Sequence, residues 1–320
     1  MNIKKIGLTA LAASLVSVSA YAGEMSVAGG ASIGIKNNAG NDGGKSITMG
    51  NQLTFTGGGE LDNGLNVALS FVIDQADGVT AGTAPFDSHS ITISSDAMGS
   101  IVIAGEGAGN AQSALDTTAA GDIWDNGFKA GAASTAYIAM NGSDASGSSI
   151  NYTLPTLMDD LSVAVSYSPG GLAVESTTAF GVTYTGVEGL SVSYGVGENG
   201  STTATASGDI TTMKASYAMG SFTVAMSNTE SDLDSTGTDE EMSSFKLSFT
   251  VTDDLSISYG EETHETSGQT VDEEFDAVSI SYTTGGMTLT AAQYNAEGIA
   301  HATGAAGEAS RWKLGASFAF

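Results

Sequence analysis

Cysteine is missing from all 320 residues, which excludes disulfide scaffolds, thiolate metal sites and cysteine nucleophiles. Positive charge is nearly as scarce. Nine Lys and Arg stand against 36 Asp and Glu, and the formal net charge of −27 repels nucleic-acid phosphates. Arg occurs once, at Arg311, and His89, His264 and His301 leave little for a metal triad or a hydrolase. Charged residues make up only 14% of the chain, against roughly 25% in ordinary soluble domains. Beyond the N-terminal segment no apolar run approaches the length of a spanning helix, so a helical membrane protein is excluded. What is abundant is glycine, 43 residues of it, with serine and threonine.

The first segment reads as an address. Lys4 and Lys5 precede the apolar run 6–18, which is followed by Ala20-Tyr21-Ala22, the order of a secretory signal with its cleavage site. Residues 1–22 are therefore expected to be removed as a signal peptide, leaving 23–320 as a single domain. The run is too short to cross a bilayer as a helix.

From there to the last residue the pattern has a period of two. Stretches 65–73, 161–167, 245–249 and 312–320 alternate large apolar side chains with small polar ones, as strands with two different faces do. Helical spacing is missing, and the chain reads as all-β. Seven short turns at 62–64, 96–99, 158–160, 186–189, 218–220, 252–254 and 283–286 carry Gly, Asn and Asp, the residues of tight hairpins. They alternate with eight longer polar connections at 37–45, 74–87, 105–147, 168–177, 197–208, 228–241, 261–274 and 295–308. Fifteen connections give sixteen strands.

A dry sandwich and a lipid-facing barrel both produce this alternation. Three features favour lipid. The short turns fall on one side and the long loops on the other, as in outer-membrane barrels. Tyr152, Tyr167, Tyr184, Tyr194, Tyr217, Tyr259, Tyr282 and Trp312 sit near strand ends on the apolar parity, where amphipathic rings meet headgroups. Lys36, Lys214, Lys246, Arg311 and Lys313 all fall on the opposite parity, and a midplane Lys or Arg facing lipid costs about 2–4 kcal/mol. Lipid cannot satisfy an open sheet edge, so a spanning sheet must close. Sixteen strands enclose water rather than packed side chains. The expected architecture is a 16-stranded antiparallel transmembrane β-barrel with short periplasmic turns and long outer loops.

With its signal, strand rhythm, one unusually long third loop and terminal Trp312-x-Leu314-x-Ala316-x-Phe318-x-Phe320, the whole mature chain resembles the general Gram-negative porins, of the acidic type seen in alphaproteobacteria. The resemblance implies a homotrimer of water-filled diffusion channels in the outer membrane, each with the third loop folded inward as a constriction. It implies that Trp312, Phe318 and Phe320 form the signal read by the barrel-assembly machinery, after periplasmic chaperones have carried the chain there. It also implies acidic loop residues facing a basic wall. By location Glu106, Asp116, Asp122 and Asp125 fill the acidic half of the third loop, 105–147, which also holds Asp144 and Lys129. The basic half is thin: the early strands offer only Lys36, while Lys214, Lys246, Arg311 and Lys313 come from later strands. Passive diffusion of small hydrophilic solutes and ions, with weak cation preference, is the expected function.

Other readings carry less. The clusters Asp232, Asp234, Asp239, Glu240, Glu241 and Asp272, Glu273, Glu274, Asp276 offer oxygen ligands for Ca²⁺, but neither has EF-hand spacing. Solvated loops and no cofactor are expected. Residues 105–109 are Gly-rich without the Lys and helix of a phosphate cradle. Lumen lysines serve equally well to neutralise lumen carboxylates. Gly29, Gly30 and Gly34 suit either close subunit packing or strand coiling. His264 is placed inside a loop with no recognisable partner, so no enzyme is expected. A secreted acidic adhesin or surface-layer protein is the alternative from another class, although no tandem Gly-Asp nonapeptide repeat is present.

Overall fold

The computed structural model describes residues 25–37, 44–74, 86–106, 109–126, 128, 148–170, 175–200, 207–233 and 239–320, with the side chains of Phe86, Asp87 and Glu106 left aside. Residues 1–22, the expected signal peptide, and Lys129, Asp144 and Asp234 lie outside the described residues.

Sixteen strands follow one another in chain order: β1 Met25–Asn37, β2 Lys45–Glu60, β3 Asn66–Asp74, β4 Phe86–Ser95, β5 Gly99–Glu106, β6 Ser149–Thr153, β7 Leu161–Ser168 and β8 Thr177–Val187. The second half comprises β9 Leu190–Asn199, β10 Gly208–Met219, β11 Phe222–Leu233, β12 Glu240–Thr252, β13 Leu255–Thr266, β14 Glu273–Thr284, β15 Met287–Glu297 and β16 Ala309–Ala319. Each strand pairs antiparallel with its neighbours, and β1 pairs with β16 to close the barrel. The closing ladder runs from Gly30 opposite Ala319 to Lys36 opposite Lys313. Backbone bonds between Gly29 and Phe320, 2.7 and 3.0 Å in the two directions, extend it to the chain end.

The solvent-facing outside is apolar on every strand. Ile47 on β2, Ile91 on β4, Met213 on β10, Leu247 on β12 and Leu314 on β16 are all exposed, and each of the other strands contributes at least one large apolar side chain to the same belt. A soluble monomer does not display so continuous an apolar surface. The tyrosines of the sequence pattern occupy this face; Tyr152 beside a short turn donates to the Met98 carbonyl at 2.8 Å. The strands alternate facing, so the opposite parity, rich in Ser, Thr and Gly, points inward.

Two connections are shorter than expected. Connections 228–241 and 261–274 were expected to be loops, yet β11 continues to Leu233, β12 begins at Glu240, β13 continues to Thr266 and β14 begins at Glu273. Carboxylates on both faces made these stretches look like polar loop. They are strand extensions in which Glu240, Glu262 and Glu273 face inward while Glu241, Glu265 and Glu274 face outward, as their ladder partners require. The space in front of Gly29 is filled by the Phe320 ring, and that in front of Gly34 by the Thr48 hydroxyl.

Candidate functional site: the lumen and its third loop

Residues 109–126, the described part of the third loop, lie against the inward parity and cross the wall strand by strand. Asn151 Nδ2 on β6 donates to the Gly109 carbonyl at 3.0 Å. The Ala111 amide donates to Ser166 Oγ on β7 at 2.9 Å, and Gln112 Nε2 donates to Thr212 Oγ1 on β10 at 2.8 Å. The amides of Ala119 and Ala120 donate to Ser227 Oγ on β11 and Ser244 Oγ on β12, at 2.8 and 2.9 Å. An irregular loop held inside a protein leaves backbone N–H groups that need acceptors. The small hydroxyls of the inner face supply them.

Close approach needs missing side chains too. A Cβ at Gly181 on β8 would stand 2.5 Å from the Ala111 carbonyl oxygen, and one at Gly260 on β13 would stand 2.8 Å from Ala120 Cβ. Glycine at these two places lets the loop lie flat on the wall.

Glu262 on β13 is the strongest attachment. It is 1% exposed, it accepts from the Thr118 hydroxyl, and its other oxygen accepts from the Trp124 amide at 2.9 Å. Thr118 is itself folded onto the loop: its amide donates to Asp122 Oδ1 at 2.9 Å, and its hydroxyl accepts from the Asp122 amide at 2.8 Å. Past this point Ile123, Trp124 and Phe128 pack into an apolar cluster with Met242, Phe275, Ala277, Ala296 and Ile299. This inner cluster is the nearest thing to a core in a barrel whose remaining lumen face is small and polar.

The expected acidic residues separate under this geometry. Asp116, Asp122 and Asp125 lie on the inward segment, Asp125 exposed and the other two half-buried. Burial, reinforced by the Asp122 carboxylate, pushes Asp116 up to about 6 against the pull of nearby backbone amides and Lys214. Asp122 takes a left-handed backbone (φ 54°), which its bonds to Thr118 hold in place. Glu106 ends β5, before the loop begins.

The basic residues also separate. Lys214 donates to the Thr117 carbonyl, and Arg311, nearly buried, donates to the Asn126 carbonyl while its guanidinium stands 5.9 Å from the Phe128 ring centre. Both therefore fasten the loop. Lys246 faces inward on β12 opposite Ala225 and Gly260. Lys36 and Lys313 are direct register partners across the β1–β16 seam, both on the inward parity. Nothing in the linear spacing of residues 36 and 313 signals that meeting. Trp312, Phe318 and Phe320 face outward, with Lys45 Nζ 5.9 Å from the Trp312 ring centre.

Glu262, Ser166, Thr212, Ser227 and Ser244 were not singled out from the sequence. Their signal was parity, since each lies on the small polar face, but which of many such residues meets the loop depends on barrel shear. The histidine expectation is corrected: His264 lies in β13, fully buried, with Nδ1 2.7 Å from Glu273 Oε2 and Nε2 3.5 Å from Glu240 Oε2. It found partners because the strands run on past the expected loop boundary. Among the described residues no group of three or more His, Asp or Glu is arranged to hold a metal.

A closed transmembrane barrel with a loop pinned to its inner wall defines a channel of the outer-membrane kind. Comparison with known proteins agrees. The sequence profile of the Gram-negative porin family matches residues 7–320, and the chain belongs to that family, whose members are channels of the outer membrane. No curated protein sequence matches it. Solved structures with the same fold include a porin refined at 1.8 Å (TM-score 0.68), OmpT of Vibrio cholerae in a trimer form (0.67) and an anion-selective porin from Comamonas acidovorans (0.65). Each is 16% identical, and each alignment covers 93% of this chain and 100% of the other.

Proposed function

We propose that this porin is a water-filled channel for passive diffusion of small hydrophilic solutes and ions, weakly cation-selective, assembled as a homotrimer after removal of residues 1–22. No cofactor takes part in this reading. The observation that carries it is the third loop, which lies against one wall with Asp116, Asp122 and Asp125 on the lumen side of the barrel. An ion about 7 Å from one carboxylate in water gains roughly 0.6 kcal/mol, close to thermal energy. One charge biases passage weakly; several in a low-dielectric neck act together. Lys36 and Lys313 oppose them, which keeps the preference modest.

The similar structure from Comamonas acidovorans is of an anion-selective porin, so the sign of selectivity in this channel has to come from its own side chains rather than from the fold. For assembly, the support is the trimer form of the Vibrio cholerae relative and the bare outer face of β1–β5, which carries no tyrosine or tryptophan among the described residues. A face without interfacial rings suits another subunit better than headgroups. Planar-bilayer recording of detergent-purified protein in a salt gradient tests this reading. Discrete steps, commonly in threes, with a reversal potential of cation sign are expected; an anion-sign potential overturns the selectivity, and the absence of steps overturns the channel.

A further inference from the structure

The connection between β15 and β16 holds an unusual turn. Gly298, Ala300 and His301 all take left-handed backbones, at φ 68°, 57° and 56°, and two of the three are not glycine. Such residues persist only where their surroundings over-determine them. Here the surroundings are specific: the Ala300 amide donates to Glu273 Oε1 at 2.6 Å, and His301 Nδ1 lies 2.8 Å from the Val271 carbonyl oxygen. The second Glu273 oxygen is engaged by His264 Nδ1 at 2.7 Å, and both side chains are buried. Glu240 from β12 faces the other His264 nitrogen, and the His301 ring centre is 6.2 Å from that of His264.

The same turn delivers Ile299 into the apolar cluster that holds Ile123, Trp124 and Phe128 of the third loop. Two residues along the inner face of β13 from His264 sits Glu262, which binds the third loop directly. One strand thus holds both loops at their meeting point. We propose that Glu273, oriented by His264, is a positioning residue for the constriction: it pins the β15–β16 loop, whose Ile299 backs the third loop against the wall. The inference rests on the channel reading above. Without the backstop the third loop leaves the wall and moves into the lumen, so the channel closes more often.

Planar-bilayer recording of the full chain tests this with Glu273→Ala, Glu273→Gln and Ile299→Ala, each checked for a folded barrel by heat-modifiability on a gel. The closed-to-open ratio at fixed voltage is expected to rise about tenfold in Glu273→Ala and Ile299→Ala, a common size of coupling between packed elements. Glu273→Gln is expected to stay near wild type, because its amide oxygen still accepts from the Ala300 amide, the contact that pins the loop. Ile299→Ala leaves the buried charges untouched, so its barrel is expected to fold even where Glu273→Ala does not. An unchanged ratio in folded Ile299→Ala overturns the inference while the channel stands, as does a Glu273→Gln that closes as often as Glu273→Ala. A wild-type chain without conductance steps overturns the channel reading itself, and this inference with it.

Discussion

Strands β6–β14 carry seven tyrosines outside, and Ser166, Thr212, Ser227 and Ser244 on them bind the third loop inside, whereas β1–β5 carry no tyrosine among the described residues. Both walls have the same strand rhythm and the same apolar outer belt. The difference shows that the inner parity of a barrel has two separate tasks. On β6–β14 its hydroxyls and glycines form a bed for an irregular backbone, which fixes Asp116 and Asp122 on the lumen side. On β1 and the stretch of β16 beyond Arg311 the inner face carries the cross-strand pair Lys36 and Lys313. One wall is built to hold protein and the other to meet water.

The largest effect expected from breaking this contrast comes from Glu262→Ala. It strands the Thr118 hydroxyl and the Trp124 amide, and each buried unsatisfied group costs about 1–3 kcal/mol. The third loop should detach, and single-channel records should show a closed-to-open ratio more than tenfold above wild type. A smaller effect concerns Asp116. Its carboxyl is ionised above about pH 6 and neutral below, so cation preference should fall as pH drops from 8 to 5, with a midpoint near 6. Reversal potentials across that range check this, and Asp116→Asn should flatten the midpoint. The same raised value means that the folded barrel binds this proton more tightly than the unfolded chain, so ionisation costs stability above that pH. The smallest effect belongs to Lys313→Ala on the opposite wall. Removing one of two facing like charges should strengthen cation preference by no more than about 0.6 kcal/mol per passing ion. It should also slightly raise the temperature at which the barrel opens on a gel, because like charges directly opposite in a ladder repel.

Much of the architecture was legible in the order of residues. Strand number, the split into short turns and long connections, and which parity faces out all follow from period-two alternation and turn chemistry, which are local properties. Strand ends were less legible where Glu241, Glu265 and Glu274 took the outward positions and broke the apolar pattern, because a strand extended beyond the bilayer has no apolar face to advertise. The acidic side of the loop could be named by location, yet Glu262, its anchor, stands 138 residues beyond Trp124. Pairing at that separation leaves no periodic trace.

The amino-acid order alone, then, determined that this chain must close into a wide barrel, since two-faced strands in lipid have no other way to satisfy their edges. Tertiary structure alone decided which charges meet. Closure put Lys36 opposite Lys313, shear chose the hydroxyls under the third loop, and the β13–β14 register set His264 opposite Glu273, because such contacts depend on how far each strand slides against the next.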